Sequence, residues 1–217
     1  AEPQLEDTLA QAVYDGQWRL KVHLLPQSLL VHTGIIDAAQ CDYQRISRIA
    51  VHPDFQQKGW GQYLLKCAVA EMTDDTDVVG VSFAMSEDLL HFWHKAGFET
   101  VRLGQHRDEV SGSLSVMMLK ALTPRGQTLV DKARKILSCQ WSFLLSRQWD
   151  ELDAESVIQI SQTLLDDETF SIDVLPQIQS FAFKQRPYES SEWALWQWFR
   201  SQLSSPGFEQ LHKEQQQ

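Results

Sequence analysis

The sequence predicts an α/β (α+β) domain over residues 1–124, followed by a small, mainly α-helical domain over residues 125–217. Three observations predict this. Short apolar runs alternate with amphipathic segments between Arg48 and Leu122. Pro124-Arg125-Gly126 then punctuates the chain. Beyond that point apolar residues recur only with the spacing of helices that bury one face.

The elements follow in order. Leu5 to Val13 reads as a helix. Arg48 to Val51 is a short strand that stops before Pro53, and a loop carrying Gly59 and Gly61 leads into a helix from Gln62 to Met72. Val78 to Met85 is nearly continuous in apolar residues, as a strand buried on both faces would be. Ser86 is an N-cap, with Glu87 and Asp88 in the first turn, where negative charge suits the helix dipole. Leu89, Leu90, Phe92, Trp93 and Ala96 form the apolar face of that helix, and Gly97 ends it as a C′ residue. Phe98 to Leu103 and Leu114 to Leu122 are strands joined by a loop, Gly104 to Gly112.

Four helices are expected after the punctuation. Leu129, Ala133, Ile136, Leu137 and Trp141 share one face; Leu152 to Leu165 marks a second helix, and Leu175 to Ala182 a third. The fourth is entered near Ser190 or Ser191 and ends at Pro206-Gly207, before a Gln-rich end expected to fray. Trp193 and Trp196 fall on one stripe and read as core, whereas Trp198 lies off it and is the better candidate for a surface role.

Composition sets bounds. An apolar content of 43% across 217 residues describes a globular chain. No apolar run approaches the roughly 20 residues that cross a bilayer, and no basic-then-apolar segment opens the chain, so neither membrane nor signal peptide is expected. Cys41, Cys67 and Cys139 are scattered, which predicts no zinc or other metal site, no disulfide framework, and a reducing cytoplasmic setting. The net charge of −10 is shared evenly between residues 1–125 and 126–217 and speaks against autonomous tight binding of RNA. RNA contact would be local, through Arg102, Arg107, Arg125, Lys184 and Arg186.

The most specific chemistry lies in Arg48-Ile49-Ala50-Val51-His52-Pro53-Asp54-Phe55-Gln56-Gln57-Lys58-Gly59-Trp60-Gly61. Strand, glycine loop and helix N-terminus together make an anion site, because unpaired N–H groups and the helix dipole converge there. No Gly-Lys pair exists, so this is not a Walker A loop, and the third glycine of the dinucleotide fingerprint is absent. Two nearby glycines can also mark only a turn.

Gln56-x-x-Gly59-x-Gly61 resembles the signature with which GNAT acetyltransferases hold the pyrophosphate of acetyl-coenzyme A. Further words narrow the resemblance: Ser47 to Pro53, Gly80-Val81-Ser82-Phe83, Phe92-Trp93-x-x-x-Gly97-Phe98, Val101-Arg102-Leu103-Gly104-x-His106-Arg107, and Ser111-Gly112. In this order they are similar to the acetyltransferase region of tRNA(Met) cytidine acetyltransferases, from about Leu5 to Lys120, with a looser echo in Phe181-Ala182-Phe183-x-x-Arg186-Pro187.

That resemblance implies a GNAT-like acetyltransferase fold lacking its first strands, followed by a tRNA-binding-like helical region. It implies acetyl transfer from acetyl-coenzyme A to the N4 amine of the wobble cytidine of elongator tRNA(Met). Partners would be tRNA and a helicase-like ATPase module. ATP or GTP would be used only through that module, which nothing here resembles, so a C-terminal fragment is expected. The main chain at Ile49, Ala50 and Val51 would hold the acetyl-pantetheine arm, and Gln56, Gln57, Lys58, Gly59, Trp60, Gly61 and Gln62 the pyrophosphate. Asp88 and Lys95 occupy positions that touch the cofactor, although each also suits a plain helix-end charge.

The cytosine amine is a poor nucleophile but is already neutral, so positioning, oxyanion stabilisation and later proton removal carry the reaction. Many GNAT enzymes protonate the leaving thiolate with a tyrosine; the matching residue here is Trp93, whose indole supplies no proton. His106 is the candidate for accepting the amine proton, and Arg107 and Arg186 the candidates for RNA phosphate. His52 reads as structural. Two other readings stay open: an acetyltransferase of protein or small-molecule amines, and a non-catalytic assembly or RNA-docking module.

Overall fold

One mixed sheet organises the molecule: β1 (Tyr43–Arg45), β2 (Val78–Ala84), β3 (Glu99–Arg107) and β4 (Leu114–Ala121), in the order β1-β2-β4-β3. The computed structural model describes residues 1–72, 75–107, 112–150, 152–164 and 172–203. β1 and β2 run parallel, as strands joined by a helical crossover do; the other pairings are antiparallel. The architecture is an α+β GNAT-like fold with a helical C-terminal region.

The first strand lies earlier than the sequence suggests. Arg48 to Val51 is irregular, and the hydrogen-bonded strand is Tyr43–Arg45. Tyr43 supplies the buried anchor, with its hydroxyl donating to Ala38 O at 2.7 Å. The apolar Ile49 and Val51 are only half-buried and find no strand to pair with. On the other side of β1, Glu2 forms a single antiparallel bridge with Tyr43. The buried Glu2 carboxylate meets Arg45 Nε at 3.0 Å and accepts from Leu25 N at 2.8 Å.

Before β1 the chain forms α1 (Asp7–Tyr14), α2 (Leu24–Ser28), a π-type turn (Leu29–Thr33) and a 3-10 turn (Ile36–Gln40). α3 (Trp60–Ala70) and α4 (Glu87–Lys95) follow β1 and β2. Strand alternation sorts the core. Val79, Val81, Val116 and Met118 pack with Leu65, Leu90, Trp93 and Phe98 on the α3–α4 side. Val78, Met117 and Leu119 pack with Leu25 of α2 on the other side.

That second side is closed by α5 (Pro124–Leu145), the helix that opens the C-terminal region. Its Leu129, Val130, Ala133 and Ile136 share a cluster with β2, β3 and β4, and Leu137, Trp141 and Leu144 join the other cluster. Residues 122 and 123 therefore bend the chain directly into a helix that packs against the sheet. Asp77 sets this turn. Its carboxylate accepts from Thr123 Oγ1 and Arg125 Nη2, each at 2.6 Å, and from Asp42 N at 3.0 Å. Thr123 caps α5 through Gly126 N, and a Cβ at Gly126 would lie 2.2 Å from Asp77 O, so glycine is required there.

α6 (Ala154–Ser161), α7 (Leu175–Phe183) and α8 (Glu192–Leu203) complete the described chain. Trp193 is buried, as its stripe predicts. Trp196 is 42% exposed, its ring stacked on Phe143 at 6.0 Å, so the i, i+3 partner of Trp193 is not core. Trp198 is exposed, and Pro206-Gly207 and the Gln-rich end lie outside the described residues.

Candidate functional site

The site begins where β1 and β2 part. Ile46 N still donates to Gly80 O at 2.9 Å. From Ser47 to Val51 no main-chain group bonds to β2 among the described residues. Ile46, Ile49, Phe83, Met85 and Phe92, all partly buried, pack against the apolar cluster on the α3–α4 side of the sheet. An extended arm entering this gap would meet the unpaired main chain of Ile49 and Ala50.

The glycine loop sits beyond the gap. His52 Nδ1 accepts from Asp54 N at 3.4 Å and starts a 3-10 turn, Pro53–Phe55, which bears out a structural role for His52. The chain then passes through left-handed conformations at Gln57 (φ 57°) and Gly59 (φ 82°). Successive amides are thereby turned to one side, as in anion-binding nests. From Gln57 to Gln62, six consecutive N–H groups find no acceptor among the described residues, and the last three open α3. Unsatisfied N–H groups at a helix mouth attract negative charge.

Gly61 answers a separate need. A Cβ there would lie 3.0 Å from the Phe92 ring and 3.7 Å from Val51, so this glycine lets α3 approach α4 and the Ser47–Val51 segment. Gln62 ties the same pair, its Nε2 donating to Phe92 O at 2.7 Å.

The remaining predicted residues divide. Gln56 Nε2 donates to Val51 O at 2.9 Å, so this side chain braces the loop against the parting segment. Lys58 Nζ donates to Asp54 O at 2.7 Å and lies 5.7 Å from the Phe55 ring, folded back on the loop. Trp60 is half exposed. Asp88 is exposed in the first turn of α4, which Ser86 caps through Leu89 N. Lys95 lines a groove between α3 and α4 together with Tyr63, Lys66 and Lys120. Lys66 follows Gln62 by four residues and was legible from helical spacing. Lys120 arrives from β4, which sequence spacing alone does not reveal.

Trp93 is core. Its ring meets Phe92 at 5.2 Å and Phe98 at 5.0 Å, both edge to face, and stacks with Phe83 at 6.1 Å. His106 does not sit in a loop: β3 runs through it to Arg107, with register shifts between Leu103 and Arg107 that place Arg107 opposite Leu114. Arg107 is exposed and its Nη1 donates to Gly112 O at 2.7 Å, closing the hairpin; Ser111 lies outside the described residues.

Arg186 departs furthest from expectation. It is 3% exposed, and Nη1 donates to Tyr14 O at 3.0 Å and Leu30 O at 3.3 Å. Its guanidinium lies 4.7 Å from the Tyr14 ring. This placement removes it from any RNA-facing surface. Lys184, three residues from Phe181, is exposed.

The family model described as GNAT acetyltransferase 2 matches residues 62–123. The tRNA(Met) cytidine acetyltransferase TmcA of Vibrio cholerae is 34% identical over 214 residues, covering 97% of this chain and 28% of the relative. The chain is a relative of the tRNA(Met) cytidine acetyltransferases. The Haemophilus influenzae protein of the same name is 41% identical over 130 residues, 60% of this chain and 19% of that one. The Yersinia pestis protein is 32% identical over 195 residues, 88% of this chain and 27% of that one. The chain thus spans about a quarter of the length of these curated relatives. Among the described residues no helix is long and apolar enough to cross a membrane, and no three or more His, Cys, Asp or Glu side chains gather as a metal site.

Proposed function

We propose that the chain is the acetyl-transfer region of an enzyme that carries acetyl from acetyl-coenzyme A to the N4 amine of a cytidine in tRNA, in the cytoplasm. The wobble cytidine of elongator tRNA(Met) is the acceptor that the resemblance implies. The reading rests on one observation above others: six N–H groups from Gln57 to Gln62 without an acceptor among the described residues, beside two strands that cease to pair. This nest suits a diphosphate, and the gap suits a narrow acyl arm.

When bound, acetyl-coenzyme A would supply an acyl group activated as a thioester. The main chain of Ile49, Ala50 and Val51 orients the arm. The amides of Gln57 to Gln62 hold the diphosphate, and Lys66, Lys95 and Lys120 add positive charge along the groove beside them. Asp88, in the first turn of α4, is the further residue that the resemblance sets against the cofactor. His106 takes the proton from the amine, and Arg107 at the end of β3 holds an RNA phosphate. With Trp93 in the core, protonation of the leaving thiolate falls to solvent.

The net charge of −10 favours a second reading, in which the acceptor is a protein or small-molecule amine. Labelled acetyl-coenzyme A, offered with tRNA or with peptide amines, separates the two by which one takes up label. Calorimetry tests the site itself. Acetyl-coenzyme A is expected to bind the native chain and not Gly61→Glu, which would place a carboxylate beside the nest and press a side chain on the Phe92 ring. Equal affinity in both would refute the site. Absence of binding to the native chain at millimolar cofactor would favour a non-catalytic assembly module.

A further inference from the structure

Lys66, Lys95 and Lys120 converge on the groove between α3 and α4. Lys120 is half-buried, and its Nζ donates to Ala96 O at 2.7 Å, which fixes one positive charge where α4 ends. Lys66 and Lys95 are exposed, and neither makes a hydrogen bond or an ion pair among the described residues. No Asp or Glu lines the groove among the described residues, in a chain whose net charge is −10. Cations gathered without a counter-charge repel one another, and an anion among them relieves that repulsion.

The groove encloses about 420 Å³, within the range of small-molecule sites. It is continuous with the nest through Gln62, whose N–H is the last of the six without an acceptor and whose side chain lines the groove. Lys66 follows Gln62 on the same face of α3, one helical turn or about 6 Å further along. A ribose has a comparable span. In coenzyme A it separates the diphosphate from a phosphomonoester on the 3′ oxygen.

We propose, resting on the acetyl-coenzyme A reading of the nest, that this groove is the subsite for the 3′-phosphate of the carrier, with Lys66 and Lys95 as its ligands and Lys120 as supporting charge. A phosphomonoester is close to doubly charged near neutral pH, so two ammonium groups match it. The subsite selects the acyl donor, favouring a 3′-phosphorylated nucleotide carrier over its dephospho form. An RNA strand suits the groove less well. RNA spreads single charges along its backbone, and its binding rests on neutralising a row of them. Here the next cation towards the loop, Lys58, is folded back on Asp54 O and Phe55.

The test is calorimetry of the whole chain with acetyl-coenzyme A and with acetyl-3′-dephospho-coenzyme A at low salt. The native chain is expected to bind the first about tenfold more tightly. Lys66→Met with Lys95→Met is expected to bind acetyl-coenzyme A more weakly and to lose the preference between the two. Equal affinity of the native chain for both carriers overturns the proposal and leaves the nest reading standing, because both carriers hold the diphosphate. Binding of neither carrier overturns the nest reading and this proposal together. A preference that persists undiminished in the double variant also overturns it. Filter binding of tRNA gives the last arm: if the double variant loses tRNA affinity and keeps the preference, the lysines serve RNA and the proposal falls.

Discussion

At the scale of single residues, Asp77 carries more of the fold than its place before β2 suggests. Burial alone would raise its carboxyl, but the hydrogen bonds from Arg125, Thr123 and Asp42 N outweigh that and hold it below the usual carboxylate range. A lowered folded value has a definite sign. The stabilisation is fully present above the unfolded value and is lost as pH falls through the folded one. Asp77→Asn is therefore expected to cost about 2 kcal/mol near neutral pH. It should also flatten the loss of stability below about pH 4. Denaturant unfolding of both chains across pH 3 to 7 measures this, and curves that stay parallel throughout would refute it. Gly59 was legible in the sequence as a loop residue, because backbone freedom belongs to the residue itself, whereas Gly61, read with the same loop, stands in the first turn of α3. Arg186 was not, since no local pattern tells a surface cation from one stacked on Tyr14 across the fold.

At the scale of elements, α3 is weakly held. Among its eleven residues only Leu65 is fully buried, and Trp60, Tyr63 and Leu64 remain exposed. A helix with so little apolar surface in the core opens readily. Amides in Trp60–Ala70 are expected to exchange hydrogen faster than those of β2 or β4. Acetyl-coenzyme A is expected to slow α3 and the Gln56–Gly59 loop selectively. Hydrogen-exchange mass spectrometry with and without cofactor reads both effects, and protection that rises evenly over the chain would contradict a site at the helix mouth. One helix start was read from its cap, Ser86 before α4; Thr123 with Pro124, which opens α5, and Asp153, which caps α6, carry the same kind of signal and were passed over. The first strand was misplaced because apolarity marks burial, whereas pairing depends on what lies alongside; β2 meets Tyr43–Arg45 and parts from Ile49.

At the scale of the molecule, α5 binds the helical region to the sheet. Leu129, Val130, Ala133, Ile136, Leu137 and Trp141 lie in clusters shared with the strands. A chain ending at residue 124 would expose one face of the sheet, and burying that much apolar surface is worth many kcal/mol at roughly 25 cal/mol per Å². Residues 1–124 alone are expected to show no cooperative thermal transition, while the full chain unfolds in one. Calorimetry of the two decides the matter, and a sharp transition in the shorter chain would establish an independent domain ending at residue 124.

The sequence by itself determined the glycine loop, the kinds and order of the elements that follow it, and the kinship with the acetyltransferases, but not the short elements between α1 and that loop. These are written in local spacing: helical and strand periods, caps, and the freedom of glycine. Only the tertiary structure decided where β1 pairs, that β3 passes through His106, and that Arg186 is interior. Each of these depends on groups distant in the chain, and local spacing holds no information about which of them will meet.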